Sequence, residues 1–117
     1  MKILLQINDA AYGSERAYNA LRLAMSLQQN HADIAVHVFL MADAVTCAIS
    51  NQTTPQGYYN LERMLKSVIA KGAQVKACGT CCDARGLRGL PLIEGIEIST
   101  MAQLTQWVID CDKTLVY

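Results

Sequence analysis

Apolar stretches of strand length alternate along this chain with stretches whose apolar residues recur at helical spacing. Lys2–Ile7 and residues 34–41 are almost continuously apolar, which is typical of strands in a parallel sheet covered on both faces. Parallel strands need long crossover connections, and helices usually provide them. The alternation therefore predicts an α/β fold, a three-layer α/β/α sandwich around a mostly parallel five-stranded sheet.

The segments between the strands predict the helices. Ser14 is a good N-cap and precedes a helix that is apolar over more than one stripe. A short helix is predicted to start at Asp43, after the second strand. Apolar residues then recur on one helical face from Tyr58 until Gly72, which ends the helix. Thr100 is predicted to cap the last helix, which contains Cys111 as a core residue.

Three more strands complete the predicted sheet, at residues 74–78, 96–98 and 113–117. Parallel sheets bind ligands and carry out chemistry at the carboxyl ends of their strands. Asn8 and Asp43 follow the first two strands, and Cys78 ends the third. We therefore expect these three residues to converge on one edge of the sheet.

Size and composition predict a single domain over residues 1–117 that associates with copies of itself. The chain is 52% hydrophobic and only 17% charged, so some apolar surface is expected to be buried between subunits. Lys plus Arg and Asp plus Glu each total 10, and the formal net charge is zero. Neutrality favours association. It gives no basic surface for nucleic acid or for an anionic membrane.

The apolar runs and the cysteine count together predict a cytoplasmic protein. The first apolar run is too short for the central region of a signal peptide, and charged residues or histidines interrupt every later one before it reaches membrane-spanning length. The chain has five cysteines, an odd number. An odd number in a chain that is not exported indicates a reducing compartment, with free thiols or catalytic disulfides in place of structural bridges.

The main chemical candidate is a cluster of three thiols at the end of the third strand. Cys78, Cys81 and Cys82 lie within five residues of one another and are followed by Asp83 and Arg85. A thiolate is a useful nucleophile when its surroundings lower its pKa, and a strand-to-helix junction offers free N–H groups for this. Buried cysteines also serve simply as core residues. Three of them beside polar and glycine residues favour a functional interpretation.

Other candidate residues each have a structural alternative. Arg85 either holds Cys78 as a thiolate or pairs with Asp83 or Asp43 at a subunit interface. Asn and Asp side chains often cap or orient loops, so Asn8 and Asp43 have either this structural role or a contact with a substrate. Tyr12 and Tyr58 either line a cleft or anchor a subunit interface.

Neither a metal nor an organic cofactor is predicted. Structural zinc usually needs two paired ligand motifs, and the thiol cluster supplies one, which leaves only a site shared between subunits. The segment from Gly86 to Gly89 lacks the lysine and the spacing of a phosphate-binding loop. His31 is predicted to be solvated and His37 to be a satisfied sheet residue, so neither supplies an obvious general base.

An ordered set of short motifs covers essentially the whole chain. They are a Tyr12-Gly13-Ser14-Glu15 helix start, residues 39–45, Gly57-Tyr58, Cys78 followed by Arg85-Gly86, residues 90–93, and a closing helix over residues 102–107. In this order they resemble the DsrE family of sulfur-relay proteins, and most closely its YchN-like branch. The resemblance implies a compact α/β/α subunit that assembles into homohexamers. It also implies a cysteine that carries sulfur as a persulfide between donor and acceptor proteins.

In that family the sulfur-carrying cysteine lies after the third strand and upstream of the Arg-Gly pair, which corresponds to Cys78. Cys81 and Cys82 match no essential position of the sulfur-relay members, although Cys-x-x-Cys here resembles the YchN-like branch. Three functions stay open from the sequence: a sulfur carrier that uses Cys78, a dithiol redox protein that pairs Cys78 with Cys81 or Cys82, and a non-catalytic homo-oligomeric module that binds a small ligand or a peptide.

Overall fold

The computed structural model describes all of residues 1–117. It contains five strands, four α-helices and one 3₁₀ helix. In chain order they are β1 (Lys2–Ile7), α1 (Arg16–Asn30), β2 (Ala35–Leu40), the 3₁₀ helix (Ala42–Ala48), α2 (Leu61–Ala70), β3 (Gln74–Cys78), α3 (Gly79–Ala84), β4 (Ile96–Ser99), α4 (Met101–Asp110) and β5 (Lys113–Val116). The α/β prediction is confirmed.

The five strands form one sheet in the order β4-β3-β2-β1-β5, and every neighbouring pair is parallel. Ile7 lies opposite Leu40, and Leu40 lies opposite Ala77. The carboxyl ends of β1, β2 and β3 are therefore level with one another. The residues that follow these three strands therefore lie at the same edge of the sheet.

Helices cover both faces of the sheet. The path from β1 through β3 runs in one direction across the sheet, and the connection from β4 to β5 runs back, so right-handed crossovers place α4 on the face opposite α1 and α2. Trp107 of α4 stacks on His37 of β2 with ring centroids 4.6 Å apart and meets Phe39 edge-on. Val38, which points to the other face of β2, is fully buried as well.

The interior of the sandwich is a single cluster of 28 buried residues drawn from all three layers. Cys111 is partly buried and packs against this cluster, near the core position predicted for it. His37 is buried, but its Nδ1 atom has no hydrogen-bond partner. The expectation of a satisfied sheet histidine is therefore wrong: the Trp107 ring stacks on the face of the imidazole, and the Nδ1 atom in the plane of that ring has no polar partner.

Two helix starts differ from the sequence prediction. Helix α1 begins at Arg16 with Glu15 in the capping position, although the Ser14 hydroxyl still accepts the Arg16 N–H at 3.3 Å. Helix α2 begins at Leu61, because the Asn60 side chain accepts the Arg63 N–H at 3.1 Å and fixes the first turn there. Tyr58 consequently lies outside the helix.

Two other helix ends follow the prediction. The Thr100 hydroxyl accepts the Gln103 N–H at 3.2 Å and caps α4. Gly72 follows α2 with φ +98°, its N–H bonds to the Ile69 carbonyl, and the next N–H bonds to the Val68 carbonyl. This pair of bonds is a Schellman motif, which favours glycine at the left-handed position. None of the four α-helices is both long enough and apolar enough to cross a bilayer.

Candidate functional site

The thiol cluster lies where β3 passes directly into α3. Cys78 is the last residue of β3 and also the N-cap of α3. Its Sγ accepts the backbone N–H of Cys81 at 3.4 Å and lies 3.2 Å from the Thr80 hydroxyl. Because no loop separates the strand from the helix, the sulfur takes the place of the usual capping oxygen.

These contacts change the acidity of the Cys78 thiol. Burial by itself raises the pKa of Cys78, since it penalises the thiolate. Hydrogen bonds from the Cys81 thiol, the Thr80 hydroxyl and the backbone N–H groups of Cys81 and Thr80 outweigh burial and lower the pKa below its usual value. Hydrogen bonding to the charged form therefore makes Cys78 the most acidic thiol of the cluster.

Cys78 opens onto a small cleft between α3 and the start of α4. The cleft has a volume of about 160 Å³, and it is lined by Cys78, Gly79, Thr80, Arg88, Ser99, Thr100 and Met101. Cys78 itself is only 4% exposed, because it ends a largely buried strand. The polar loop over residues 51–57 lines a different cleft and does not cover this one.

Cys81 is the thiol next to Cys78. Its Sγ accepts the backbone N–H of Ala42 at 3.2 Å and lies 3.6 Å from the Met41 sulfur. Ala42 has φ +53°, a left-handed conformation that points its amide at this sulfur. Burial and the bond to Cys78 raise the pKa of the Cys81 thiol. Cys81 is thus the less acidic of these two neighbouring thiols.

Cys82 faces away from that pair. Its side chain is completely buried in the core, and burial raises the pKa of its thiol, with the nearby Cys78 thiolate raising it further. Of the two cysteines predicted as partners for Cys78, only Cys81 makes a hydrogen bond with it, through its backbone N–H.

Arg85 and Asp43 form an ion pair at the same edge of the sheet. The Arg85 Nη2 and Nε atoms donate to Asp43 Oδ1 at 2.6 and 3.0 Å, and Nη1 donates to the Cys81 carbonyl at 3.1 Å. Arg85 therefore ties the 3₁₀ helix to α3. Of the two alternatives that the sequence left open for Arg85, the structure shows the pair with Asp43, and it lies within one chain instead of across a subunit interface.

The other predicted site residues lie at this edge but serve the scaffold in the structure. The Asn8 N–H donates to the Tyr117 carbonyl at 2.9 Å, and its side chain accepts a bond from Gln6. The Tyr12 hydroxyl accepts the Leu61 N–H at 3.2 Å. Tyr58 is 65% exposed on the cleft formed by the polar loop. Neither tyrosine lines the Cys78 cleft.

Arg88 lines the Cys78 cleft and was not among the predicted site residues. Its Nε and Nη2 atoms donate to the Asp83 carboxylate at 2.6 and 3.4 Å. The sequence contains no signal for this placement, because Arg88 follows an irregular, glycine-rich segment whose direction no periodicity specifies. The position depends on a turn in which the Leu87 N–H bonds back to the Cys82 carbonyl.

A parallel α/β sandwich with a hydrogen-bonded, acidic cysteine at the carboxyl edge of its sheet defines a class of thiol protein. Comparison with known families identifies the class more closely. The model of the DsrE/DsrF-like family matches residues 1–117. The chain belongs to this family, which is associated with sulfur relay, and the resemblance seen in the sequence is confirmed.

Individual relatives agree with the family assignment. The chain is 43% identical to protein YchN of Escherichia coli over 116 residues, which is 99% of this chain and 98% of that one. It is 40% identical over its whole length to an uncharacterised protein of Methanocaldococcus jannaschii, which it also covers completely. The crystal structure of E. coli YchN matches with a TM-score of 0.95 over 99% of this chain and 98% of that chain.

A more distant match concerns the fold alone. A protein of unknown function from Methanobacterium thermoautotrophicum is 15% identical and has a TM-score of 0.73, with 99% of this chain and 98% of that chain covered.

Proposed function

We propose that this protein accepts sulfane sulfur on Cys78 as a persulfide and passes it to the thiol of an acceptor. One observation carries the proposal: Cys78 is the one thiol whose pKa is lowered, and it borders a cleft that a donor can enter. Membership of a family associated with sulfur relay supports the same chemistry. The donors and acceptors are expected to be other proteins or small sulfur compounds.

The proposed cycle has two balanced steps. The Cys78 thiolate attacks the outer sulfur of a donor persulfide R–S–SH, the S–S bond breaks, and R–S⁻ leaves while Cys78–S–SH forms. An acceptor thiolate then attacks the outer sulfur of Cys78–S–SH and restores the Cys78 thiolate. The hydrogen bonds from Cys81 and Thr80 stabilise the thiolate before the first step and again after the second.

Intact-mass measurement of the reduced protein after exposure to a persulfide donor tests this function. We expect a gain of one sulfur atom on Cys78 and its loss when an acceptor thiol is added. Cys78→Ser should take up no sulfur. Cys111→Ser is the matched control, because its thiol is partly buried elsewhere and its pKa is raised by burial, so uptake should be unchanged. Uptake that persists in Cys78→Ser would refute the assignment.

A dithiol redox cycle is the second candidate, and the closeness of Cys81 to Cys78 favours it. The Cys81 backbone N–H donates to Cys78 Sγ at 3.4 Å, and each of the two side chains shifts the pKa of the other. The same mass measurement separates the functions: loss of two hydrogens indicates a disulfide between Cys78 and Cys81. No change in mass after either treatment indicates the third function, a binding module without thiol chemistry.

We further propose that the protein works as a homo-oligomer in the cytoplasm, with a hexamer as the expected assembly. Large apolar side chains are exposed on α4 and β5, namely Met101, Val108, Ile109, Leu115 and Val116. Several large apolar side chains exposed on two neighbouring parts of the chain are typical of a subunit contact. All five cysteines are free thiols, in keeping with a reducing compartment.

A further inference from the structure

The cleft beside Cys78 has an unusual lining for a thiol site. Besides the thiol it contains the Arg88 guanidinium and the hydroxyl-bearing residues Thr80, Ser99 and Thr100, and it contains no carboxylate-bearing residue. The Asp83 carboxylate that pairs with Arg88 is not part of the lining. A cleft with one cation, several hydroxyl groups and no acid offers hydrogen-bond donors to a small anion.

Gly79 allows Arg88 to reach this cleft. A Cβ atom on Gly79 would lie 2.8 Å from Arg88 Nη2 and 3.0 Å from the Ser99 carbonyl oxygen. The φ of Gly79 is not in the left-handed region, so the backbone conformation there does not require glycine. Glycine is needed there for space: without a Cβ atom on Gly79, the Arg88 guanidinium can pack directly against the backbone next to Cys78.

Asp83 orients Arg88 without using all of its donors. Two guanidinium nitrogens of Arg88 contact the carboxylate, and Nη1 makes no hydrogen bond within the chain. Both side chains of the pair are 55% exposed, so the ion pair adds little to stability. Its effect is to hold the planar guanidinium in one direction, with an N–H group free for another acceptor.

We propose that Arg88 is a specificity-determining residue that binds the oxyanion group of a small sulfur donor, of the chemical class represented by thiosulfate. This rests on the proposed function, since it names the kind of donor that delivers sulfur to Cys78. A cleft of about 160 Å³ accommodates an anion of a few heavy atoms. It does not enclose a peptide-sized donor such as glutathione persulfide.

The transfer step balances with this donor. The Cys78 thiolate attacks the outer sulfur of thiosulfate, a new S–S bond forms, and the bond between the two sulfur atoms of thiosulfate breaks. Sulfite leaves with the electron pair, and Cys78 carries the persulfide anion. Hydrogen bonds from Arg88 stabilise the charge that grows on the leaving sulfite oxygens.

The test compares two donors on the full-length protein, with sulfur gain on Cys78 measured by mass over time. One donor is thiosulfate, and the other is the persulfide of 2-mercaptoethanol, which has no acid group. Arg88→Gln should lower the second-order rate with thiosulfate by about tenfold or more and leave the rate with the second donor nearly unchanged. Arg88→Lys should restore part of the rate. Arg22→Gln, at an exposed site on α1, is the matched control.

The outcomes separate the two proposals. Sulfur uptake from the organic persulfide but not from thiosulfate would overturn the role of Arg88 and leave the sulfur-carrier function standing. Uptake from neither donor would overturn both. An equal loss with both donors in Arg88→Gln would mean that Arg88 supports the thiol or the fold instead of selecting the donor.

Anion binding gives a readout that does not depend on transfer. Sulfate is an unreactive tetrahedral oxyanion, and at matched ionic strength it should slow alkylation of Cys78 more than chloride does. The protection should disappear in Arg88→Gln and in Gly79→Ala, whose added methyl group displaces the guanidinium. Equal protection in the wild type and in both folded variants would contradict the proposal.

Discussion

The five thiols of this chain differ in the environment of each sulfur atom. Burial raises the pKa of Cys47 to about 11 and also raises that of Cys82 and Cys111. The pKa of the Cys81 thiol is raised by burial and by the neighbouring Cys78. Only at Cys78 do hydrogen bonds to the thiolate outweigh burial. Thiol reactivity is therefore expected at one position, although the sequence contains five cysteines.

The first prediction concerns the acidity of Cys78. Alkylation of Cys78, followed by peptide mass mapping, should have its pH midpoint below that of free cysteine. Thr80→Val removes the hydroxyl that lies 3.2 Å from the sulfur while keeping the side-chain shape, so it should move the midpoint to higher pH. Thr53→Val, in the exposed polar loop, is the control and should leave the midpoint in place. A midpoint equal to that of free cysteine would contradict the site geometry.

The second prediction concerns His37. Burial, followed by the charges of Lys2 and Lys76, lowers the pKa of His37 in the folded chain. The imidazole therefore binds a proton more readily in the unfolded chain than in the folded chain. The free energy of unfolding should fall as the pH drops below about 6.5 toward the lower pKa that His37 has in the folded chain. In His37→Phe the midpoint of urea unfolding should depend less on pH than in the wild type between about pH 8 and pH 5, the range in which histidine titrates.

Exposed His31 supplies the comparison for His37. His31→Gln removes the other histidine of the chain from an exposed position at the end of α1, and so controls for the loss of a histidine as such. An identical acid response of the wild type and His37→Phe would show that other groups control it.

Single residues show which parts of the site can be predicted from sequence. Cys78 was predictable, because a thiol at the end of an apolar strand in an alternating pattern must lie at the carboxyl edge of the sheet. The Asp43 pair of Arg85 was one of two open alternatives. Arg88 was not predictable, because its position depends on the Gly79 surface, which forms only when β4 packs beside β3.

At the level of elements, the pattern of the chain predicted strands better than helix starts. A buried strand reveals itself by a continuous apolar run, as in β1 and β2. A helix start is set by one side-chain bond. The Asn60 cap places the start of α2 after Tyr58, although Tyr58 and Leu61 belong to the same apolar pattern. The short α3 has 6 residues, fewer than two helical turns, so its apolar residues cannot show a helical periodicity.

The third prediction concerns the end of α2. Gly72 has φ +98° with open space around it, so Gly72→Ala introduces backbone strain without a clash and should lower the free energy of unfolding by roughly 1 kcal/mol. Gly13 also has open space around it but is not in the left-handed region, so it is the matched control. Gly13→Ala should be neutral or slightly stabilising. Equal effects of the two substitutions in urea unfolding would refute the left-handed cap.

At the level of the whole molecule, one side of the sandwich is far more apolar than a monomer requires. Ile109 on α4 is 71% exposed, and Val116 on the edge strand β5 is 60% exposed. The unpaired edge of β5 adds free backbone groups to this surface. These features and the zero net charge agree with the proposed homo-oligomer.

The fourth prediction is the assembly itself. Light scattering at low micromolar concentration should give several times the 12.8 kDa subunit mass, with six subunits expected. Ile109→Glu places a charge on the apolar surface and should reduce the mass toward that of a single subunit. Gln29→Glu adds the same charge at an exposed position on α1 and should leave the assembly intact. A monomeric wild-type protein would refute the proposed assembly.

Because the strands are parallel and in register, a label attached at Met1 and a label attached at Tyr117 lie at opposite edges of the sheet. Met1 precedes β1 and so lies at the amino edge of the sheet, whereas Tyr117 follows β5 and pairs with Asn8 at the carboxyl edge, where Cys78 also lies. A fluorophore or an affinity tag attached at Met1 is therefore kept a full strand length away from the thiol. The same attachment at Tyr117 stands at the edge where the proposed donors would approach, so a reporter for testing sulfur transfer belongs on the amino end.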